Sequence, residues 1–189
     1  MPIYEGSRKI ITINRGNKRI ARGFRGSTLV YGYPSGKVIF EGTTAGTYTI
    51  TLEYPCKLYI QLVGGGGYGV NNYWWHAGGG SGAYVYGNKS MNAGTYTLVV
   101  ASTNSNRSNT SFAGEVAGGG ERGYANLDGT RGGYGGTAST TLNYKNGNAG
   151  TFSNGGSASG GASVYGGYGR GYGNGTGDAT PAYAKLTVV

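Results

Sequence analysis

The chain has 189 residues, among them 42 glycines, 4 prolines, 18 tyrosines, 4 phenylalanines and 2 tryptophans. That mixture excludes collagen, which needs glycine at every third position with abundant proline, and it argues against disorder, because disordered chains are poor in aromatics. Of the formal charge of +9, a balance of +7 lies in residues 1 to 40, where eight Lys and Arg face Glu5 alone, so a basic head precedes a nearly neutral body.

In chain order, the head opens on a ten-residue repeat. Gly6, Gly16, Gly26 and Gly36 share one spacing, and Ile10, Ile20, Val30 and Phe40 share it too. The units GSRKI, GNKRI and GSTLV put turn residues beside β-branched ones, which predicts short strands folding back every five residues or so. Such a meander is too small to stand alone and needs the body or a partner to cover it. The first ten residues, MPIYEGSRKI, contain no apolar core segment, so a signal peptide is not expected. The expectation is synthesis in the cytoplasm and departure as part of a larger particle.

From residue 45 the pattern changes. TYTITLEY (47–54) and KLYIQLV (57–63) alternate apolar and polar positions as half-buried strands do, with Pro55 and Cys56 at the break. SGAYVYG, AGTYTLVVA, ASTTLNYK and PAYAKLTVV are further strand candidates, and AGTYT opens a strand twice, at 45–49 and 93–97. No amphipathic run of ten good helix formers occurs, so an all-β chain is expected: a short-strand head (1–44) and a glycine-rich, sandwich-like body (45–189). No stretch of 18 apolar residues is present, and no membrane insertion is expected. Cys56 has no second cysteine to pair with and reads as a small buried apolar side chain.

Between the strands lie glycine tracts. In GYGRGYGNGTG the glycines from Gly167 to Gly177 alternate strictly, leaving one bare face and one carrying Tyr168, Arg170, Tyr172, Asn174 and Thr176. Bare glycine faces let backbones approach closely, in polyproline-II stacks or silk-like sheets. Ordering glycine is entropically costly, so the tracts are either packed or free loops.

The motifs of catalysis and cofactor binding are incomplete. Gly64, Gly66 and Gly69 match G-x-G-x-x-G after a strand, but VNNYWWHAGGGSG follows, where a dinucleotide site needs a helix and then an acidic residue. Cys56, the single His76, Asp128 and Asp178 have no context marking a nucleophile, and no His or Cys pair has metal spacing. A non-enzyme without cofactors is expected. RGGYGG at 131–136 and RGYG at 170–173 are RGG-like, yet Arg122, Arg131 and Arg170 are few arginines in the glycine-rich stretches for an RNA-binding segment. NYWWHAGGG holds both tryptophans and the only histidine, so it is either a binding loop or a plug for a glycine-lined gap.

The ordered series AGTYTITL, YIQLVGGGGYG, GGGSGAYVYG, AGTYTLVVA, NTSFAGEVAGGGERG and PAYAKLTVV resembles the glycine-rich domain of phage tail fibres and related virion proteins, over roughly residues 45 to 189. The decapeptide head is similar to short repeats of other phage virion proteins. The resemblance implies a β-rich body with extended glycine tracts and variable loops at a distal tip that binds the host surface. It implies no catalytic residues. It places the receptor-facing loop at VNNYWWHA, with Tyr73, Trp74, Trp75 and His76 as candidates, joined by Tyr168 and Tyr172. The tracts here are short and interrupted, which favours a sandwich with glycine-rich loops over a full polyproline-II lattice. Arg8, Lys9, Lys18, Arg19, Arg22 and Arg25 are the residues expected to dock the head onto an acidic tail component.

The expected function is a virion tail structural protein that binds a host-surface glycan or protein, with trimerisation compatible. The alternatives are a self-assembling bacterial surface or matrix protein and a glycine-rich RNA-binding protein.

Overall fold

The computed structural model describes residues 3–5, 8–10, 13–15, 18–20, 23–25, 28–72, 75–103, 107–126, 129–154, 158–166, 169–171 and 179–189. Side chains are described from residue 32 on, apart from 71–72, 125–126, 129–130 and 154.

The head consists of three antiparallel hairpins: β1 (Ile3–Glu5) with β2 (Arg8–Ile10), β3 (Ile13–Arg15) with β4 (Lys18–Ile20), and β5 (Gly23–Arg25) with β6 (Thr28–Tyr31). Each ten-residue unit closes on itself, with Ile3 opposite Ile10 and Ile13 opposite Ile20, so among the described residues the strands pair only within a hairpin. Arg8 and Lys9 lie on β2, Lys18 and Arg19 on β4, and Arg25 on β5, whereas Arg22 lies outside the described residues.

The chain continues through β7 (Val38–Gly42), β8 (Gly46–Leu52), β9 (Cys56–Val63), β10 (Val70–Asn72), β11 (Trp75–Ala77), β12 (Tyr84–Met91) and β13 (Gly94–Val100). There follow β14 (Thr110–Phe112), β15 (Glu115–Ala117), β16 (Tyr124–Asn126), β17 (Gly129–Arg131), β18 (Ala138–Ser139), β19 (Asn143–Lys145), β20 (Phe152–Asn154) and β21 (Tyr183–Val188). No helix occurs among the described residues, and every pairing is antiparallel, so the fold is all-β.

Two five-stranded sheets, ordered β19-β12-β9-β21-β7 and β18-β15-β14-β13-β8, form the sandwich. The alternation read in the sequence sets their inner faces. Leu58, Ile60, Leu62, Val85, Ala184, Leu186 and Val188 of the first sheet share one core with Ile50, Leu52, Leu98, Val100, Phe112 and Ala117 of the second. Cys56 belongs to that core and is buried. So is Tyr33, which packs edge-on against Tyr54 at 5.5 Å. The repeated AGTYT segments form the neighbouring strands β8 and β13, and their tyrosines do the same thing twice. Tyr48 donates to the Thr44 carbonyl at 2.7 Å and Tyr96 to the Asn92 carbonyl at 3.0 Å. Ala113 and Gly114, with φ of 51° and 84°, make the two-residue turn between β14 and β15.

One candidate strand of the sequence, ASTTLNYK, is divided. Ala138–Ser139 ends the second sheet and Asn143–Lys145 edges the first, with the chain crossing the sandwich between them. The physical reason is Glu115, buried with about 1% of its side chain exposed. Its carboxylate accepts hydrogen bonds from the Thr140 and Thr141 hydroxyls and the Thr141 amide of the crossing, and from the Lys89 ammonium of the opposite sheet. Burial alone would raise its pKa; the Lys89, Thr140 and Thr141 bonds outweigh that and hold it at about 2.

The glycine tracts leave the sandwich and return to it. Tracts 64–67, 118–121, 147–151 and 169–171 lead away; tracts 78–83, 132–137, 158–161 and 179–181 lead back. The tract 78–83 is central and bonds to six others. It donates through Gly78 and Ser81 to Thr151 and Asn148, through Gly80 and Ala83 to Glu121 and Gly118, and through Gly82 to Gly169. It accepts from Gly64 and Gly67, from Gly133 and Gly136, and from Gly161. Partners recur every third residue, and among the described residues no bonds form within a tract. That is the three-residue turn of a polyproline-II-type helix, not the two-residue period of a strand. The tracts therefore form a bundle of extended helices, despite their short length and their interruptions. The tolerance for side chains is small: a methyl on Gly80 would overlap the Tyr134 carbonyl oxygen, and one on Gly120 the Gly80 carbonyl oxygen. Where a side chain does occur it is used. Buried Ser81 accepts from the Asn148 amide at 2.8 Å, and buried Thr110, at the sandwich junction, donates to the Val63 carbonyl at 2.7 Å.

On the outer face of the first sheet, Tyr84 stacks between Tyr86 and Tyr165 at 4.8 and 4.2 Å. Gln61 donates to the hydroxyls of Tyr84 and Tyr165, so this face forms a second small core.

Candidate functional site

Because the tracts run out and back, the described far connections fall at one end of the bundle. Two of these connections are hairpins. β10 pairs with β11, which also pairs with β20, and the β16–β17 hairpin packs beside them. The registers fix the direction: Gly67 bonds Gly80, Glu121 bonds Tyr134, Gly123 bonds Tyr68 and Thr151 bonds Ser159, all on the tip side. On the sandwich side Gly64 bonds Ala83 and Gly118 bonds Thr137.

The segment VNNYWWHA contributes to this tip as strand rather than loop. Trp75 and His76 sit on the middle strand of the β10-β11-β20 sheet, opposite Asn72 and Asn71 on one side and Asn154 and Ser153 on the other. Successive strand residues face opposite sides of the sheet, so Trp75 and His76 cannot form one contact surface. Both are half-buried, and the buried His76 Nδ1 has no hydrogen-bond partner among the described residues. Tyr73, Trp74, Tyr168 and Tyr172 lie outside the described residues.

The sequence reading missed a group of Tyr and Arg side chains at the same end. Tyr68, Tyr124 and Tyr134 are exposed. The Arg122 guanidinium lies over the Tyr68 ring at 5.9 Å, and that of Arg131 over the Tyr134 ring at 4.3 Å. Such cation–π contacts hold a large flat side chain at the surface with little freedom to lose. The signal was present in RGY at 122–124 and RGGY at 131–134, which invite comparison with RNA-binding segments instead.

Glu121 gathers the arginines. Arg131 reaches its two carboxylate oxygens at 2.8 and 3.1 Å, and Arg107 reaches one at 3.0 Å. The Arg131 bonds chiefly, against partial burial and helped by the Tyr134 amide and Arg107, hold the Glu121 pKa at about 2. Arg107 has φ of 57°, a left-handed conformation that costs a non-glycine residue roughly 1–2 kcal/mol. Its side chain is 65% exposed, and an exposed ion pair returns only about 0–1 kcal/mol.

Among the described residues no three His, Cys, Asp or Glu side chains come together as a metal site would need, and no helix is long and apolar enough to cross a membrane. No protein-family model matches the chain, and no curated protein matches it either.

Proposed function

We propose that this chain is a non-enzymatic virion tail protein that binds a bacterial surface through the tip of its glycine bundle. One observation carries the reading: among the described residues, the outward connections of a densely hydrogen-bonded backbone lattice converge at one end, where exposed Tyr68 and Tyr124 stand with Arg122. A lattice made of main chain holds that end without help from the tip side chains, so the tip can vary while the support stays the same. Large aromatic side chains with few rotors suit it to contact at low entropic cost. The ordered series of sequence segments from AGTYTITL to PAYAKLTVV, which resembles phage tail-fibre glycine-rich domains, favours the same assignment. The basic hairpins of residues 3–31, with Arg8, Lys9, Lys18, Arg19 and Arg25, would dock an acidic component of the tail.

The test is binding of the labelled chain to a panel of bacterial strains at low and high salt, beside a Tyr68→Ser/Tyr124→Ser variant. Strain-restricted binding that survives high salt and is lost in the variant is expected. Binding to every anionic surface, abolished by salt and unaffected by the variant, would reject the tip as the recognition surface and leave the head as the source of affinity.

A further inference from the structure

We propose a second binding site, running along the flank of the glycine bundle from Tyr134 on the tip side toward Ser139, for a saccharide carrying a carboxylate. A cleft of about 590 Å³ runs there, within the size range of small-ligand sites. Its floor is main chain, at Gly118, Gly119, Gly135 and Gly136, and Arg107, Asn109, Glu121, Tyr134, Thr137 and Ser139 line it. From Tyr134 to Ser139 an extended chain rising about 3.1 Å per residue covers roughly 15 Å, long enough for a short oligosaccharide.

The floor's hydrogen-bonding capacity decides between a peptide and a sugar. An added peptide strand needs a row of free main-chain donors. Here Gly118 donates to Thr137, Glu121 to Tyr134, Gly136 to Ser81, Gly119 to the Asn109 side chain and Ala138 to the Asn146 side chain. Among the described residues this leaves the Gly135 and Thr137 amides on the floor, two donors rather than a ladder, and at the rim the Asn109 side-chain NH₂, the Thr137 and Ser139 hydroxyls, and most of the Arg107 fork. Short hydroxyl and amide groups around a bare floor, with an aromatic plate at one end, suit a pyranose, whose hydroxyls need many short polar contacts and whose C–H face needs a ring. Tyr134 is that plate: it is 59% exposed and steadied by Arg131.

The charge selects an acidic sugar. Glu121 is already held by both oxygens in its pairing with Arg131, so Arg107 is a surplus cation at the cleft, and a guanidinium matches a carboxylate with two parallel bonds. Arg107 also keeps a backbone conformation suited to glycine, a strain that the one ion pair of its exposed guanidinium does not explain.

The site and the tip can fail separately, because their tests change different residues. NMR titration of the ¹⁵N-labelled full chain with a galacturonic acid tetramer is the direct experiment, with the neutral galactose tetramer and a polyglycine-rich peptide as comparisons. The acidic tetramer is expected to move the amide signals of Gly118, Gly119, Gly135 and Gly136, and to bind about tenfold more tightly than the neutral one, the scale of one charge-assisted contact. Arg107→Gly, which relieves the backbone strain and so keeps the fold, should remove that preference, and Tyr134→Ser should weaken both sugars. No shift at millimolar sugar, equal binding of the two tetramers, or the peptide moving the same signals at lower concentration would each overturn the proposal.

Discussion

The sandwich and the glycine bundle solve the same problem with opposite means. In the sandwich, side chains are the cohesive material: Leu58, Ile60, Leu62, Leu98, Phe112 and Leu186 exclude water between two sheets whose backbones stay apart. In the bundle, side chains are the obstacle. The backbones approach until carbonyl oxygens lie where a Cβ would be, and cohesion comes from hydrogen bonds between tracts and the close packing of their atoms. A sheet uses two neighbours per strand, whereas the tract 78–83 uses six, with five of its amides donating and five of its carbonyls accepting. The comparison teaches that glycine at this density need not mean flexibility. Its backbone entropy is lost on folding, and the removed side chain is what permits enough contacts to offset it.

If the contrast is right, the largest effect belongs to the smallest change. Gly80→Ala puts a methyl into the Tyr134 carbonyl, held by backbone on every side, and should cost roughly 4 kcal/mol or more. Urea unfolding would measure it, and a loss under about 1 kcal/mol would mean that the tracts yield and are no lattice. Leu62→Ala, a large deletion in the sandwich core, should cost about 3 kcal/mol by the same assay. A Leu62 variant more damaging than the Gly80 variant would reverse the comparison.

A middle-sized effect comes from the ion pair that ties the two sheets together. Glu115→Gln leaves Lys89 without its counter-charge and should destabilise by about 2 kcal/mol, less than a fully buried pair because Lys89 keeps some solvent contact. The wild-type pH dependence follows from the same group. Its folded pKa, about 2, lies below the ordinary 4.5, so its contribution is complete above pH 4.5 and is lost as pH falls toward 2. Melting curves at pH 7, 4 and 2.5 should show that decline, and the Gln variant should reduce it to the part owed to the other lowered carboxylates, Glu121 first among them.

The smallest stability effect is expected where function is proposed. Tyr124→Ser removes an exposed ring and should change unfolding by no more than about 0.5 kcal/mol. A thermal melt shifted by many degrees would make Tyr124 a structural residue and weaken the assignment of the tip.

Much of the sandwich was legible before its structure. Strict alternation at 47–54 and 57–63 marks half-buried strands, and the closing PAYAKLTVV lies between two partners in the sheet. The candidate strand 138–145 broke because Thr140 and Thr141 serve a carboxylate 25 and 26 residues upstream, a partnership without local pattern. Strand β7 pairs with β21 across most of the chain's length, a contact no local reading could show. At the tip, the sequence drew attention to the tryptophan pair, while the structure exposes Tyr68, Tyr124 and Tyr134, because exposure depends on which tracts lie beside each ring.

The sequence by itself determined the class and the materials: strands where β-branched and aromatic residues alternate, extended backbone where glycine leaves no side chain, and a basic head of repeated turns. Only the tertiary structure decided that the tracts would assemble around 78–83, and hence which end of the molecule would carry the connections. Side-chain alternation is local and can be read along one segment. Glycine has no side chain to encode a partner, so the neighbours of each tract are chosen by where the sandwich strands begin and end, and by the main-chain hydrogen bonds that this placement allows.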